Sequence, residues 1–119
     1  MPNKAEHINQ AQHNEAFYQT IDRAAYSDWA VTVTFYAALH YVDAFLATQA
    51  GGIHPGSHGV RDPLVQRVAQ LRPLWNHYHR LKNRSRNARY NATRFTNEEV
   101  KRVFDDDLGA IKRHLLPLI

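Results

Sequence analysis

The chain has 119 residues, no cysteine and a net charge of +4. That length suits one domain with a sizeable core. The missing cysteine excludes a disulfide framework, a thiolate nucleophile and thiolate metal ligation. Charge is unevenly placed: residues 1 to 60 hold two basic and five acidic groups, net −3, and residues 61 to 119 hold thirteen and six, net +7. Such asymmetry points to an anionic partner for the second half, or to ordinary solubilising charge. The polar start MPNKAEHINQAQHNE lacks the apolar stretch of a signal peptide. Absence of cysteine suits a reducing compartment, so a cytoplasmic location without membrane attachment is expected.

The periodicity is helical nearly throughout and no strand pattern competes. A first helix is expected from Lys4 to Ala25, burying Ile8, Ala11, Phe17, Tyr18, Ile21 and Ala25. Ser27 is placed to cap a second helix, with Asp28 in its first turn, running to about Thr48. This helix is apolar almost all round, so it is expected to be the central core helix rather than a membrane span, because two threonines, His40 and Asp43 interrupt it. GGIHPGSHG breaks the chain. Asp62 is placed to cap a third helix with Pro63 in its first turn, and Ser57-His58 offers an earlier cap. Pro73 stops or kinks that helix. A fourth helix runs from about Leu74 to Ala92, with Leu74, Tyr78, Leu81, Ser85 and Ala88 as its core stripe. Thr96-Asn97-Glu98-Glu99 is a capping box. The fifth helix that it opens buries Val100, Phe104, Leu108, Ile111 and Leu115. The expectation is one all-α domain over residues 1–119, an up-down bundle of four to five helices.

The fourth helix carries the charge. YHRLKNRSRNARYN, residues 78–91, holds four arginines and a lysine, and no acid lies between Arg72 and Arg94. Arg80, Lys82, Arg84, Arg86 and Arg89 fall off the core stripe and are the candidate contacts to nucleic-acid phosphates; the alternative is a solvated face. Trp75, Tyr78 and Tyr90 are interleaved rings able to stack bases if exposed, and Tyr78 reads as core. On the second helix Thr32, Tyr36, His40 and Asp43 form one polar stripe. It either lines a cleft facing helix four, with Arg89 or Tyr90 opposite, or forms a buried hydrogen-bonded network. Eight histidines invite a metal reading, yet no metal-ligand spacing appears and no metal site is expected. Asp105, Asp106 and Asp107 fan over about 200 degrees of a helix and cannot converge on an ion. No phosphate-cradling glycine loop is present, and no cofactor is expected.

Taken together, SDWAVTVTFYAALHYVDAFLA, HPGSHGVRD, LKNRSRNARYN and FTNEEVKRVFDDDLGAIKRHL resemble a small stand-alone HEPN-domain protein over roughly residues 12 to 116. The resemblance implies a four- to five-helix bundle that forms a homodimer. It also implies a toxin–antitoxin or other defence setting, with RNA or a nucleotidyltransferase-type antitoxin as partner. Active members of that family are metal-independent endoribonucleases that use an arginine followed four to six residues later by a histidine. The arginine stabilises charge at phosphorus and the histidine shuttles a proton. Where related small proteins have that arginine, this chain has Ser85, with no histidine after it, so the motif is degenerate there. Arg89 and Tyr90 stand nearby. Arg72 with His77 meets the spacing upstream, but a chain of this composition yields roughly two such matches by chance. Arg72 with His77, or Arg89 with His40, are therefore the candidate catalytic pairs. The leading expectation is an RNA-binding or nucleotide-partner-binding bundle. An endoribonuclease and a protein–protein interaction module are the alternatives.

Overall fold

A computed structural model describes all 119 residues, and every regular element is a helix. The elements are α1 (Lys4–Thr20), α2 (Ser27–Ala47), α3 (His58–Arg67), a 3-10 turn (Arg72–Leu74), α4 (Trp75–Tyr90), α5 (Asn97–Arg102) and α6 (Gly109–Leu115). A π-helical turn over Val103–Leu108 joins α5 to α6, so residues 97–115 form one rod. The architecture is the all-α bundle expected from the periodicity.

α2 is the axis. It packs on α1, α4, α5, the π-turn and α6. Its length and composition would allow a membrane span, but 78% of its most apolar window is buried inside the fold. Apolar residues all round are what a helix surrounded on every side requires. The core runs from Val31, Phe35, Val42 and Leu46 of α2 to Tyr78 and Leu81 of α4 and Leu108, Ile111 and Leu115 of the last rod. The expected α4 stripe is buried at all five positions. In the last rod Val100, Leu108, Ile111 and Leu115 are buried, and Phe104 stacks on Tyr18 with ring centroids 3.8 Å apart.

Several ends differ from the sequence expectation. α1 stops at Thr20, not Ala25, because Ile21 is extended and Asp22 Oδ1 accepts from the N–H groups of Ala24 and Ala25. A side chain that ties up backbone donors in this way competes with helix. The α1 stripe is correspondingly thinner. Phe17 and Ala25 are exposed, Ile8 and Ile21 are half-buried, and His7 is buried beside Ala11 and Tyr18. An Asn3–Glu6 capping box starts α1. Ser27 does not cap α2; its hydroxyl accepts from Phe95 N–H at 3.0 Å and ties the α4–α5 loop to the start of α2. Asp62 does not cap α3. Ser57 does, accepting from Val60 N–H, which leaves Pro63 in the second turn and Asp62 free to pair with Lys82. α4 ends at Tyr90, where Ala92 takes a left-handed φ of 52° and Thr93 N–H reaches back to Asn87 O.

The Thr96 capping box is present as expected, with Glu99 N–H to Thr96 Oγ1 at 3.1 Å and Thr96 N–H to Glu99 Oε1 at 3.0 Å. Thr96→Ala leaves the Glu99 N–H without its acceptor. It is expected to cost about 1 kcal/mol and to lower the melting temperature by a few degrees. Thr96→Ser keeps the oxygen and should melt with the wild type. Equal losses in both variants would remove the cap as the cause.

Candidate functional site

α4 carries the candidate phosphate contacts, but they do not share a face. At about 100° per residue, Arg80 and Arg84 fall on one flank of the buried stripe, and Lys82 and Arg89 on the other. Each flank meets a different neighbour. Arg80 pairs with Asp107 of the π-turn, Arg84 with Glu99 of α5 at 3.3 Å, and Lys82 with Asp62 of α3. Arg89 instead donates to the Tyr36 hydroxyl of α2 at 2.9 Å. Arg86 alone points outward, exposed and unpaired. Thus three of the five cations are matched by carboxylates within the fold. Of the interleaved rings, Tyr78 is buried, Trp75 is half-buried against His79, and Tyr90 is 73% exposed.

Arg72 and His77 are engaged separately. The Arg72 guanidinium donates to the Arg67 carbonyl. His77 Nδ1 donates to Asp107 Oδ1 at 2.7 Å, and the same oxygen receives Arg80. Asp107 is fully buried, while Asp105 and Asp106 are exposed, as their fan around the rod requires. Arg80, rather than Arg72, is therefore the arginine that shares a partner with His77.

The polar stripe of α2 divides by depth. Asp43 is buried and takes Arg61 of α3 bidentately, at 2.7 and 2.9 Å. That end is structural. His40 contacts His7 of α1, Nδ1 to Nδ1, at 3.0 Å. Tyr36 holds Arg89. Thr32 Oγ1 is buried with no partner.

Thr32, Tyr36, His40 and Arg89 line one open groove of about 420 Å³ between α1, α2 and the end of α4. Phe17 of α1 and Trp29 of α2 form its apolar walls and are 46% and 55% exposed. Arg89 sits against the rings of Tyr36 and Tyr90, 5.5 and 5.2 Å from their centroids, and its Nε donates to Ser85 O. It is half-buried with no carboxylate partner. The groove lining holds no acid; Asp28, which shares an adjoining hollow with Arg89, faces Arg94 at 3.5 Å. A partly desolvated cation normally has a counter-charge, and this one lies open to whatever enters the groove. Burial, more than the neighbouring His7 charge, holds His40 below its ordinary value of 6.5, so its ring is neutral near pH 7.

Trp29 and Phe17 are the site residues that the sequence reading did not single out. Trp29, Thr32, Tyr36 and His40 recur at three- and four-residue spacing, so the polar stripe already implied Trp29 as its neighbour. Phe17 was placed in the core instead. A larger hollow of about 580 Å³ lies between the α1–α2 turn and the last rod. Its cations are already satisfied: Arg23 donates to Tyr18 O and Lys101 pairs with Asp105.

No protein-family model matches the chain, and neither a curated protein nor a solved structure shows significant similarity to it.

Proposed function

We propose that the protein binds single-stranded RNA, with the groove around Arg89 as its contact site; the HEPN resemblance implies an RNA or nucleotidyltransferase-type partner. The observation that carries this reading is a half-buried guanidinium without a carboxylate, in a groove walled by the exposed rings of Phe17 and Trp29. Arg89 offers a charge-assisted grip on one phosphate. Trp29 and Phe17 offer stacking faces, which read bases with little sequence preference. His40 adds hydrogen-bonding capacity for ribose or base edges. Arg86, exposed and unpaired near the α4 end, extends the positive field. The compensated cations Arg80, Lys82 and Arg84 are lesser contributors.

Fluorescence anisotropy with a labelled single-stranded oligoribonucleotide tests this. Arg89→Ala and Trp29→Ala should each weaken binding by about tenfold or more, with affinity falling as salt rises. Arg80→Ala and Arg84→Ala should change it by no more than about threefold, because the rim charges they remove are already paired. Wild-type affinity in Arg89→Ala would overturn the assignment.

One observation favours cleavage as a second reading: His40 and Arg89 line the same groove. A neutral His40 suits removal of the proton from a ribose 2′-hydroxyl. The 2′-oxygen would form its bond to phosphorus as the bond to the 5′-oxygen breaks, and the proton would pass to that leaving oxygen. Arg89 would stabilise the charged phosphorane. The products are a 2′,3′-cyclic phosphate and a 5′-hydroxyl, with no metal required. Cutting in EDTA that disappears in His40→Ala selects this reading over binding alone.

A further inference from the structure

α1 closes one side of the Arg89 groove with Gln10, Asn14 and Phe17, and its attachment to the bundle differs along its length. Only His7, Ala11 and Tyr18 of the helix are buried. Its middle is fastened by Glu15, which accepts from the Tyr41 hydroxyl and from Lys112 Nζ. Its N-terminal half depends on Ala11, half-buried Ile8 and the contact of His7 with His40.

That contact has an unusual proton requirement. The two Nδ1 atoms are 3.0 Å apart, so one must carry hydrogen and the other must present a lone pair. One extra proton is tolerated, because an imidazolium can donate to a neutral ring. Two are not, because N–H would then face N–H and two cations would meet in a buried seam. We propose that the His7–His40 contact is a proton-sensitive clasp. With at most one extra proton it docks the N-terminal half of α1 on α2, and a second proton releases that half and opens the α1 wall of the groove. The consequence for RNA rests on the groove being the binding site; the clasp itself does not.

The surroundings do little to accommodate the second proton. The charged groups facing the pair are Glu6 on α1, Asp43 on α2, His54 in the loop and Arg61 on α3. Asp43 and Glu6 favour a proton on His7, but Asp43 is already paired with Arg61, and His54 and Arg61 oppose that proton. Burial is the main cause that holds both imidazoles below the ordinary 6.5. A released α1 therefore binds more protons than a docked one. Docking is complete above about 6.5 and weakens as pH falls below it.

Amide hydrogen exchange on the intact chain at about pH 7 and about pH 5, corrected for intrinsic rates, reads this directly. Amides of the first half of α1 should lose protection by about tenfold or more on acidification, while those of the α2 core hold. His7→Gln can donate or accept one hydrogen bond and does not titrate, so its α1 should stay protected at both pH values. Three results would overturn the clasp. They are no loss in the wild type, an equal loss in His7→Gln (which would point to Glu15), and loss in α2 in step with α1 (which would mean global unfolding). Should His7→Gln undock α1 already at neutral pH, ring titration of the wild type by NMR decides, because protonation of both rings must then coincide with the loss of α1 protection. None of these measurements uses RNA, so failure of RNA binding leaves their outcome unaffected.

Discussion

Asp43→Ala is expected to destabilise the protein by about 3–5 kcal/mol, one of the two largest effects of any single change predicted for this fold. The Asp43 and Arg61 side chains are 6% and 7% exposed and meet through two hydrogen bonds, with a third from Arg61 to the Pro55 carbonyl. Removing the carboxylate leaves a guanidinium buried between α2 and α3 with only a carbonyl for company. The cost is mostly that stranded charge and only secondarily the lost attraction. Replacing both partners, as Asp43→Leu with Arg61→Met, removes both desolvation costs and should recover most of the loss. Urea denaturation of the two single variants and the double variant measures this as a cycle. A loss below about 1 kcal/mol in Asp43→Ala would mean that Arg61 swings out to water, and that the pair does not hold α3 in place.

Ser85→Arg should be at least as damaging. Position 85 is where the HEPN resemblance puts an arginine, and in this chain it is fully buried between Leu81 and Ala88 on the α4 stripe. An arginine there must either carry its charge into the core or push α4 away from α2. An uncompensated buried ion costs several kcal/mol, a large part of the roughly 5–15 kcal/mol that holds a domain together. The variant should unfold or lose its cooperative transition. Ser85→Ala makes the contrast. The Ser85 hydroxyl is buried without a partner, so its removal should be neutral or stabilising, by about 1 kcal/mol at most. A folded Ser85→Arg with a wild-type transition would instead show that the position opens to solvent.

The α4 stripe and the Thr96 cap were legible because each is local. A period of 3.6 residues and a four-residue box are written in adjacent positions, and burial enforces the first wherever the helix packs. The end of α1 and the start of α3 were less legible. Two candidate signals compete at each, Asp22 against the continuing period and Ser57 against Asp62, and the backbone donors chose. The candidate site divides in the same way. A cleft that sets Tyr36 and His40 opposite Arg89 was one of two readings of the α2 stripe; the other, a buried polar network, describes Asp43. Nothing local indicated that Arg80, Lys82 and Arg84 would each find a carboxylate, since Asp107, Asp62 and Glu99 lie 27, 20 and 15 positions away.

The all-helical architecture, the most buried helix and the face that α4 turns inward follow from local pattern, because periodicity and capping act over a few residues. Which charges remain available is a matter of how the helices pack. Packing leaves Arg89 without a carboxylate beside Trp29 and Phe17, and it brings His7 against His40. Charge compensation and ring contact depend on distances between helices, and those are set when α1, α3 and the last rod pack around α2.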